Sequence, residues 1–168
     1  MSAKIPRYAG KEIGEDDIRK RKVLSVESKS GFRYSWSAGQ AISRFLEELK
    51  RGKIIARRCH KCRRVVVPPR MFCEWCFRPN DEWVYVKDTG IVNTFSVTHV
   101  ATDASRLKEP IIPAVVEIDG CSRGVGFLHV LGEVDPKKVK IGMRVQAVWK
   151  PPREREGAIT DIKYFKPA

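Results

Sequence analysis

Four of the five cysteines in this chain occur as two close pairs. They are Cys59 with Cys62 and Cys73 with Cys76, and ten residues separate the two pairs. A gap of two residues lets both thiolates of a pair reach one ion from a single turn, and two such turns complete a tetrahedron of sulfur atoms. Zinc prefers this closed set, and an iron ion held by the same four sulfurs is the alternative. Since a closed site leaves no position for water, the pattern predicts a structural zinc ion rather than a catalytic one.

Few other residues offer chemistry in a recognisable arrangement. Cys121 stands alone and is expected to behave as a small buried hydrophobic residue. His60 lies inside the first cysteine pair and would be a ligand only by displacing a cysteine, whereas His99 and His129 fall in predicted strands. No glycine-rich phosphate loop, activated nucleophile or acid–base pair stands out in the sequence. A stand-alone enzyme is therefore the least favoured function.

The positive charge of the chain is concentrated around the cysteines. The net charge is +13, and residues 44–78 contain eleven basic residues against three acidic ones. This excess points to a polyanionic partner, which is nucleic acid, a phosphorylated cofactor or an acidic protein surface. Aromatic residues lie among the arginines, so the region could stack bases, clamp a cofactor, meet an acidic partner or remain a solvated face. The residues of this group are Arg57, Arg58, Arg63, Arg64 and Arg70, with Trp36, Phe72 and Trp75.

An amphipathic helix is predicted ahead of the cysteines, over residues 38–51. Ser37 can cap its start and Gly52 can end it. The apolar residues that recur at helical spacing on one face are Ala38, Ile42, Phe45, Leu46 and Leu49. One such stripe needs a surface to cover, either elsewhere in this chain or on a partner subunit. The residues before this helix are polar and mixed in charge, so we expect an extended arm with at most a weak hairpin at 23–34.

The length of 168 residues suits one medium domain or two small ones, and four segments are predicted. They are an arm at 1–36, a docking helix at 37–52, a zinc ribbon at 53–80 and a β-rich module at 81–168. No run of about 18 apolar residues occurs, so no membrane span is expected. The N-terminal sequence lacks the apolar segment of a secretory signal, and we therefore expect a cytoplasmic protein.

The β-rich module has strands of alternating pattern separated by turn residues. Period-two patterning predicts strands at 83–86, 91–100, 112–118, 124–131, 144–149 and 158–165. Residues 64–67 add a short strand in the ribbon, and residues 79–82 are expected to be a linker. A polar loop is predicted at 101–110 and a helical turn within 135–141. These short strands indicate a mainly β protein that contains a small barrel or sandwich.

Several short motifs between Tyr34 and the last strand occur together in one known family. They are Arg44-Phe-Leu-Glu-Glu-Leu-Lys-Arg-Gly-Lys53, Cys59-x-x-Cys62, Val67-Pro-Pro-Arg-x-Phe-Cys73-Glu-x-Cys76, Asp88-Thr-Gly-Ile-Val92 and Gly142-Met-Arg-Val145. With these motifs, residues 34–168 resemble the family catalogued as domain of unknown function thirty-five. The Pro-Pro-Arg before the second cysteine pair makes the resemblance more specific than a generic ribbon, and residues 1–33 lie outside it.

The resemblance implies an N-terminal helix, a rubredoxin-like zinc ribbon and a C-terminal OB-fold barrel. It also implies a role in acyl-CoA metabolism, as a non-catalytic partner of a thiolase-superfamily enzyme that bridges subunits and helps to hold a CoA thioester. The helix and the arm are then expected to dock the partner enzyme. Because guanidinium and ammonium groups bind phosphate, the candidates for contact with CoA phosphates are Lys53, Arg57, Arg58 and Arg70.

The sequence departs from the family pattern at the two cysteine turns. A glycine often follows each cysteine pair in such ribbons, whereas Arg63 and Phe77 stand there in this chain. Glycine is favoured because the turn approaches positive φ, where a Cβ atom is disfavoured. We expect the metal site to be retained and the bulkier, more basic loops to suit a particular partner.

The alternative function is a single-stranded nucleic-acid binder that uses the face of the barrel. It would need exposed aromatic residues on barrel strands, such as Tyr85, Phe95 or Trp149, flanked by basic residues. Residues 83–132 contain four basic residues against five acidic ones, so the first half of the barrel is not basic. This composition argues against a groove that tracks a nucleic-acid strand, although contact through the ribbon remains open.

Overall fold

The computed structural model describes residues 12–20, 22, 31 and 34–168 and divides the chain into two compact units, 1–36 and 37–168. The N-terminal unit was expected to be extended, but it contains a short helix α1, Glu15–Arg19. Three acidic residues in its first turn stabilise α1, because they lie at the positive end of the helix dipole. The hairpin predicted at 23–34 lies almost wholly outside the described residues and stays a prediction.

The second unit begins with helix α2, Gly39–Lys50, close to the predicted 38–51. The hydroxyl of Ser37 accepts a hydrogen bond from the amide of Gly39 at 3.2 Å, and Gly52 takes a positive φ of 75° just after the helix. The buried apolar residues of α2 are Ala41, Phe45 and Leu49. They pack within this unit, so the apolar face of the helix is covered by its own chain. A docking role for α2 would have to use a different face.

A three-stranded antiparallel sheet follows the helix, in the order β2-β1-β3. Its strands are β1, Ile54–Arg58, β2, Val65–Val66, and β3, Glu82–Val86. Strand β1 was not predicted, because its two terminal arginines break the apolar pattern. Strand β3 was predicted with the barrel, but it pairs along its whole length with β1. The ribbon therefore extends through residue 86 in its hydrogen bonding, beyond the predicted boundary at 80.

The remaining strands form a closed barrel. They are β4, Thr89–Phe95, β5, Thr98–Val100, β6, Arg106–Ile118, β7, Gly126–Leu131, β8, Arg144–Trp149, and β9, Ile162–Pro167. Strands β4, β8, β9, β7 and β6 are neighbours in that order, and a further β4–β6 pairing closes the ring, while β5 extends from β6. The alternatives of barrel and sandwich are thus resolved in favour of a five-stranded barrel, and the predicted mainly β fold is confirmed.

One short helix agrees with the predicted pattern of the barrel, whereas another short helix and one strand differ from it. A 3₁₀ turn at Pro136–Lys138 falls inside the predicted helical turn, and a second at Ile159–Asp161 replaces the start of the predicted last strand. Strand β6 begins at Arg106, within the predicted polar loop, because its polar first residues pair with β5. Among the described residues, no helix combines the length and the apolar character needed to cross a membrane.

One hydrophobic core joins α2, the ribbon sheet and the barrel. The ring of Phe127 lies 6.3 Å from that of Phe45 on the helix and 6.1 Å from that of Phe165 on β9, measured between centroids. Cys121 packs partly buried against this core, and burial raises the pKa of its thiol to about 12. The thiol is thus protonated at neutral pH, as expected of a packing residue.

Two hydrogen bonds tie the ribbon to the barrel. The amide of Val65 on β2 donates to the Ser122 hydroxyl at 2.9 Å, and the amide of Ser122 donates to the Val65 carbonyl at 3.0 Å. Because Ser122 belongs to the β6–β7 connection, this reciprocal pair and the common core fix the ribbon on the barrel.

Candidate metal centre

Two backbone turns of the same form present the four cysteines. We call residues 59–64 the first knuckle and residues 73–78 the second knuckle. In each knuckle the amide of the first cysteine donates to the carbonyl five residues later, at 2.9 Å in both. The first knuckle continues directly from β1, and a short bridge between Phe72 and Pro79 frames the second. These turns place two pairs of sulfur atoms opposite each other.

The four sulfur atoms have the geometry of a tetrahedral metal site. The Sγ atoms of Cys59, Cys62, Cys73 and Cys76 all lie within 4.8 Å of one another, and those of Cys59 and Cys76 are 3.6 Å apart. A zinc ion with Zn–S bonds of about 2.3 Å needs sulfur atoms about 3.8 Å apart. Cys59 and Cys73 are buried and their partners half-buried. The residues therefore fit a structural zinc ion that stabilises a module without a large core of its own.

The protonation of the thiols also calls for a cation at this centre. The hydrogen bond that the Cys62 thiol donates to its neighbour Cys76 is the largest cause that raises the pKa of Cys62 to about 12. The backbone amide of Arg78 is the largest cause that lowers the pKa of Cys76 to about 7. Four close sulfurs cannot all ionise alone, whereas a bound divalent ion takes the place of their protons.

His60 stands beside the sulfur centre without belonging to it. Its backbone amide donates to Oδ2 of Asp81 at 2.7 Å, and its ring Nε2 lies 3.2 Å from Oε2 of Glu82. That amide is the largest cause of a lowered pKa at Asp81. His60 thus ties the first knuckle to the start of β3, in agreement with the prediction that it is not a ligand.

The residue after each cysteine pair takes the left-handed conformation. Arg63 has φ 57° and Phe77 has φ 56°, the two positions at which the sequence departs from the glycine of the family pattern. The amide of Phe77 donates to the carbonyl of Cys73 at 2.9 Å, which holds the second turn closed. Both knuckles thus keep the backbone that suits glycine while carrying large side chains.

Comparison with known proteins decides the family. Residues 46–82 match the family described as ChsH2, rubredoxin-like zinc ribbon domain, and residues 83–150 match ChsH2, C-terminal OB-fold domain. A DUF35 domain-containing scaffold protein of Methanocaldococcus jannaschii is 33% identical over 117 residues, which are 68% of this chain and 81% of that protein. The chain belongs to the DUF35 family. Both the predicted resemblance and the predicted zinc ribbon followed by an OB-fold are confirmed.

Further relatives agree with this assignment. A DUF35 domain-containing scaffold protein of Methanothermobacter thermautotrophicus is 27% identical over 121 residues, covering 70% of this chain and 89% of that protein. A DUF35 protein of unknown function from Sulfolobus solfataricus superposes with a TM-score of 0.61 at 25% identity, over 77% of this chain and 87% of that one. A chain of the Ltp2-ChsH2(DUF35) aldolase shares the fold, with a TM-score of 0.57 at 24% identity over 80% and 98% of the two chains.

The second knuckle of this DUF35 protein and the two residues before it carry an exposed apolar surface. Four large hydrophobic side chains within seven residues of sequence are exposed, by 37% at the first and 81% at the last. We call this group the knuckle surface, and its members are Met71, Phe72, Trp75 and Phe77. Sequence reasoning had noted Phe72 and Trp75 only as part of a mixed basic and aromatic region.

Trp75 is held in place by a charged pair beneath it. The guanidinium carbon of Arg64 lies 4.2 Å from the centroid of the Trp75 ring, and Nη2 of Arg64 lies 2.8 Å from Oε1 of Glu74. Burial opposes ionisation of Glu74, but hydrogen bonds from its own backbone amide and from Arg64 outweigh burial and lower its pKa. Because Arg64 belongs to the first knuckle, this stack links the two knuckles beside the metal centre.

The four candidates for CoA phosphate contact do not converge on one site. Arg57 is buried and donates to the carbonyl of Asn80 and, at 3.4 Å, to the sulfur of Met71, so its guanidinium serves the ribbon instead of a ligand. Arg58 forms a 3.2 Å ion pair with Glu82. The other two, Lys53 and Arg70, line separate cavities.

Three residues that hold the ribbon were not singled out from the sequence. The Trp83 ring contacts two guanidinium groups, whose carbons lie 4.6 Å (Arg44) and 4.7 Å (Arg57) from its centroid. Asn80, in the predicted linker, is buried and donates to the carbonyl of Arg70 at 2.7 Å. Glu48 is buried on α2, where it accepts from the hydroxyl of Tyr85 at 3.1 Å. Their burial depends on distant contacts, although a lone tryptophan among arginines is a usable signal.

Proposed function

We propose that this DUF35 protein is a non-catalytic scaffold for a thiolase-superfamily acyl-CoA enzyme in the cytoplasm. The observation that carries the proposal is the match to a relative named as a scaffold protein, over 81% of that relative. The fold of the Ltp2-ChsH2(DUF35) aldolase chain provides a precedent in which this architecture belongs to an enzyme assembly. A rigid ribbon fixed on a barrel also suits a scaffold, since a preorganised surface loses little entropy on binding.

The acyl-CoA part of the proposal is supported by a groove between the start of β1 and the end of β3. The groove has a volume of about 530 Å³ and is lined by Lys53, Tyr85 and Lys87, among others. Nζ of Lys53 lies 5.2 Å from the centroid of the exposed Tyr85 ring. The Lys53 ammonium group beside this ring and a second lysine in the groove lining offer a phosphate contact, and the ring offers a stacking surface for an adenine base. We assign the CoA contact to Lys53 with Lys87. Arg57 is excluded from this contact because it is buried.

The scaffold role is tested by co-expression with a thiolase-superfamily enzyme of the same organism. We expect the two chains to co-elute in size-exclusion chromatography, and the enzyme to gain activity toward an acyl-CoA substrate in the complex. An enzyme that is fully active alone and elutes apart from this chain would contradict the proposal. Catalysis by this chain alone would contradict its non-catalytic part.

The CoA contact is tested separately by calorimetric titration of CoA into that complex. Replacing Lys53 with alanine should weaken CoA binding about fivefold, which is the loss of one charge-assisted contact to phosphate. Lys138→Ala, in the 3₁₀ turn Pro136–Lys138, is the matched control and should leave affinity unchanged. Equal affinities for the wild-type and Lys53→Ala complexes would remove the groove from the proposal.

The nucleic-acid alternative receives less support from the barrel. Trp149, which would have to offer a free face for stacking, donates from Nε1 to Asp88 at 3.1 Å and lies 5.4 Å from the guanidinium of Arg155. Tyr85 is exposed but belongs to the ribbon sheet. Titration with a single-stranded oligonucleotide at several salt concentrations tests this alternative, which predicts an affinity that falls steeply with salt.

A further inference from the structure

Phe77 combines a disfavoured backbone with a side chain that gains nothing from folding. Its φ of 56° lies in the left-handed region, where a residue with a Cβ atom is disfavoured. Burial does not offset this strain, because the side chain is 81% exposed. Glycine would relieve the strain and would remove an apolar ring from water. Strain that persists without a folding benefit points to a function of the side chain itself.

Trp75 adds an anchor that is already ordered before any partner binds. Trp75 is 65% exposed, and its ring rests on the Arg64 guanidinium, whose carbon lies 4.2 Å from the ring centroid. Since Glu74 pairs with that guanidinium at 2.8 Å, the group beneath the ring is itself held in place. A rigid, exposed tryptophan is the type of side chain that dominates the energy of protein interfaces, and preordering reduces its entropy loss.

The charges around these rings define the chemistry of the complementary surface. Residues 53–78 contain eight basic residues and a single acidic one, Glu74. Within the described part of the chain, Lys61 and Arg63 of the first knuckle are exposed and form no ion pair, and Arg70 and Arg78 flank the knuckle surface in sequence. An apolar centre with a cationic rim is complementary to an apolar cleft with carboxylates at its edge.

A protein surface fits this group better than a nucleic acid does. One face of the Trp75 ring is occupied by Arg64, so a base could stack only on the other face. Glu74 pairs with that same guanidinium at 2.8 Å, so the cation beneath the ring is already engaged and is not available to a phosphate. Apolar contact with a cleft is not opposed by this carboxylate, which Arg64 already neutralises.

We propose that the knuckle surface inserts Trp75 and Phe77 into an acidic-rimmed apolar cleft of the partner enzyme. The inference rests on the proposed function for the class of partner and adds the surface that meets it. It moves the main docking element from α2, whose apolar face is already covered, to the second knuckle. The cation rim then steers the encounter, so the association rate should fall as salt is raised.

The test measures the affinity of the purified thiolase-superfamily partner for the wild-type chain and for two variants, by biolayer interferometry. Phe77→Gly should weaken binding at least about tenfold while the melting temperature stays unchanged or rises by a few degrees. Trp75→Ala should weaken binding by a similar factor or more. Zinc content is measured in each protein, and we expect one ion per chain throughout. A gain in stability together with a loss of binding would show that the Phe77 side chain serves the partner and not folding.

Leu128→Ala is the matched control, because Leu128 is 65% exposed on β7 of the barrel and should leave affinity unchanged. If the wild-type complex forms and both knuckle variants bind within twofold of it, the inference is overturned and the proposed function stands. If no complex forms with the wild-type chain, the proposed function fails and the inference fails with it. Loss of single-stranded DNA binding in the variants, with the enzyme complex intact, would also overturn the inference.

Discussion

Gly126 in the barrel and Phe77 in the ribbon both occupy positions that suit glycine, but only the barrel position has it. A Cβ atom on Gly126 would lie 1.8 Å from the carbonyl oxygen of Val116 on the neighbouring strand, so packing alone demands glycine there. Phe77 has open surroundings but a φ of 56°, which glycine would adopt more easily. The barrel therefore keeps glycine for space, whereas the ribbon keeps large side chains against a conformational preference. Stability determines the first choice, and we attribute the second to binding.

On the ribbon side of this comparison, the loss of a metal ligand should have the largest effect on stability. Cys73→Ser should release the zinc ion and with it a large share of the roughly 10–16 kcal/mol with which such sites bind metal. We expect loss of metal by elemental analysis and increased protease cleavage between residues 59 and 78. Cys121→Ser is the matched control and should retain one zinc ion per chain. Full metal content in Cys73→Ser would contradict the four-sulfur site.

A methyl group at Gly126 should have the largest effect within the barrel. Gly126→Ala forces the β6 and β7 backbones apart and should lower the free energy of unfolding by at least about 3 kcal/mol, at the upper end of overpacking. Gly124→Ala is the control, because its Cβ would meet nothing within 4 Å and only its φ of 74° opposes the change. It should lose about 1 kcal/mol. Equal losses in chemical denaturation would show that space is not the reason for glycine at 126.

An ion pair beside the barrel predicts a response to acid. Arg144 donates to both carboxylate oxygens of Asp119 at 2.9 and 2.5 Å, and this is the largest cause that lowers the Asp119 pKa from 3.8 to about 2. Because the folded pKa is depressed, the stabilisation is present above pH 4 and is lost as pH falls toward 2. We expect about 1 kcal/mol, since Arg144 is half exposed to solvent.

The acid prediction is checked by comparing Asp119→Asn with the wild-type chain. The difference in unfolding free energy between the two proteins should shrink between pH 4 and pH 2. Acid affects the cysteines of both proteins equally, so that effect cancels in the difference. A difference that is constant across this range would contradict the lowered pKa.

The smallest effect is expected at the first knuckle. Arg63→Gly relieves the same left-handed backbone as at Phe77, and we expect a gain of about 0.5 kcal/mol, because the greater freedom of unfolded glycine offsets part of the relief. Arg63→Ala keeps the Cβ atom and removes only the charge, so it should show no gain in thermal denaturation. A loss of stability in Arg63→Gly would mean that the side chain contributes to folding.

The sequence was informative wherever chemistry is local. The spacing of Cys59 to Cys76 identified the metal set, and alternation located most barrel strands to within a few residues. It did not assign β3 to the ribbon, since a strand pattern does not name its hydrogen-bonding partner. The burial of Arg57 and Asn80 was also hidden, because each depends on a contact more than twenty residues away in sequence. Arg57 was consequently given a ligand role that its buried position does not support.

The reciprocal hydrogen bonds between Val65 and Ser122 limit how the chain can be recombined with its relatives. A chimera that takes its ribbon from one DUF35 protein and its barrel from another must match at this pair, as well as at the Phe45–Phe127 contact. The ribbon and the barrel are thus separate sequence patterns that form a single structural unit. Under the proposed function, a change of partner would act through the second knuckle, where side chains can change without disturbing the hydrogen bonds between Val65 and Ser122.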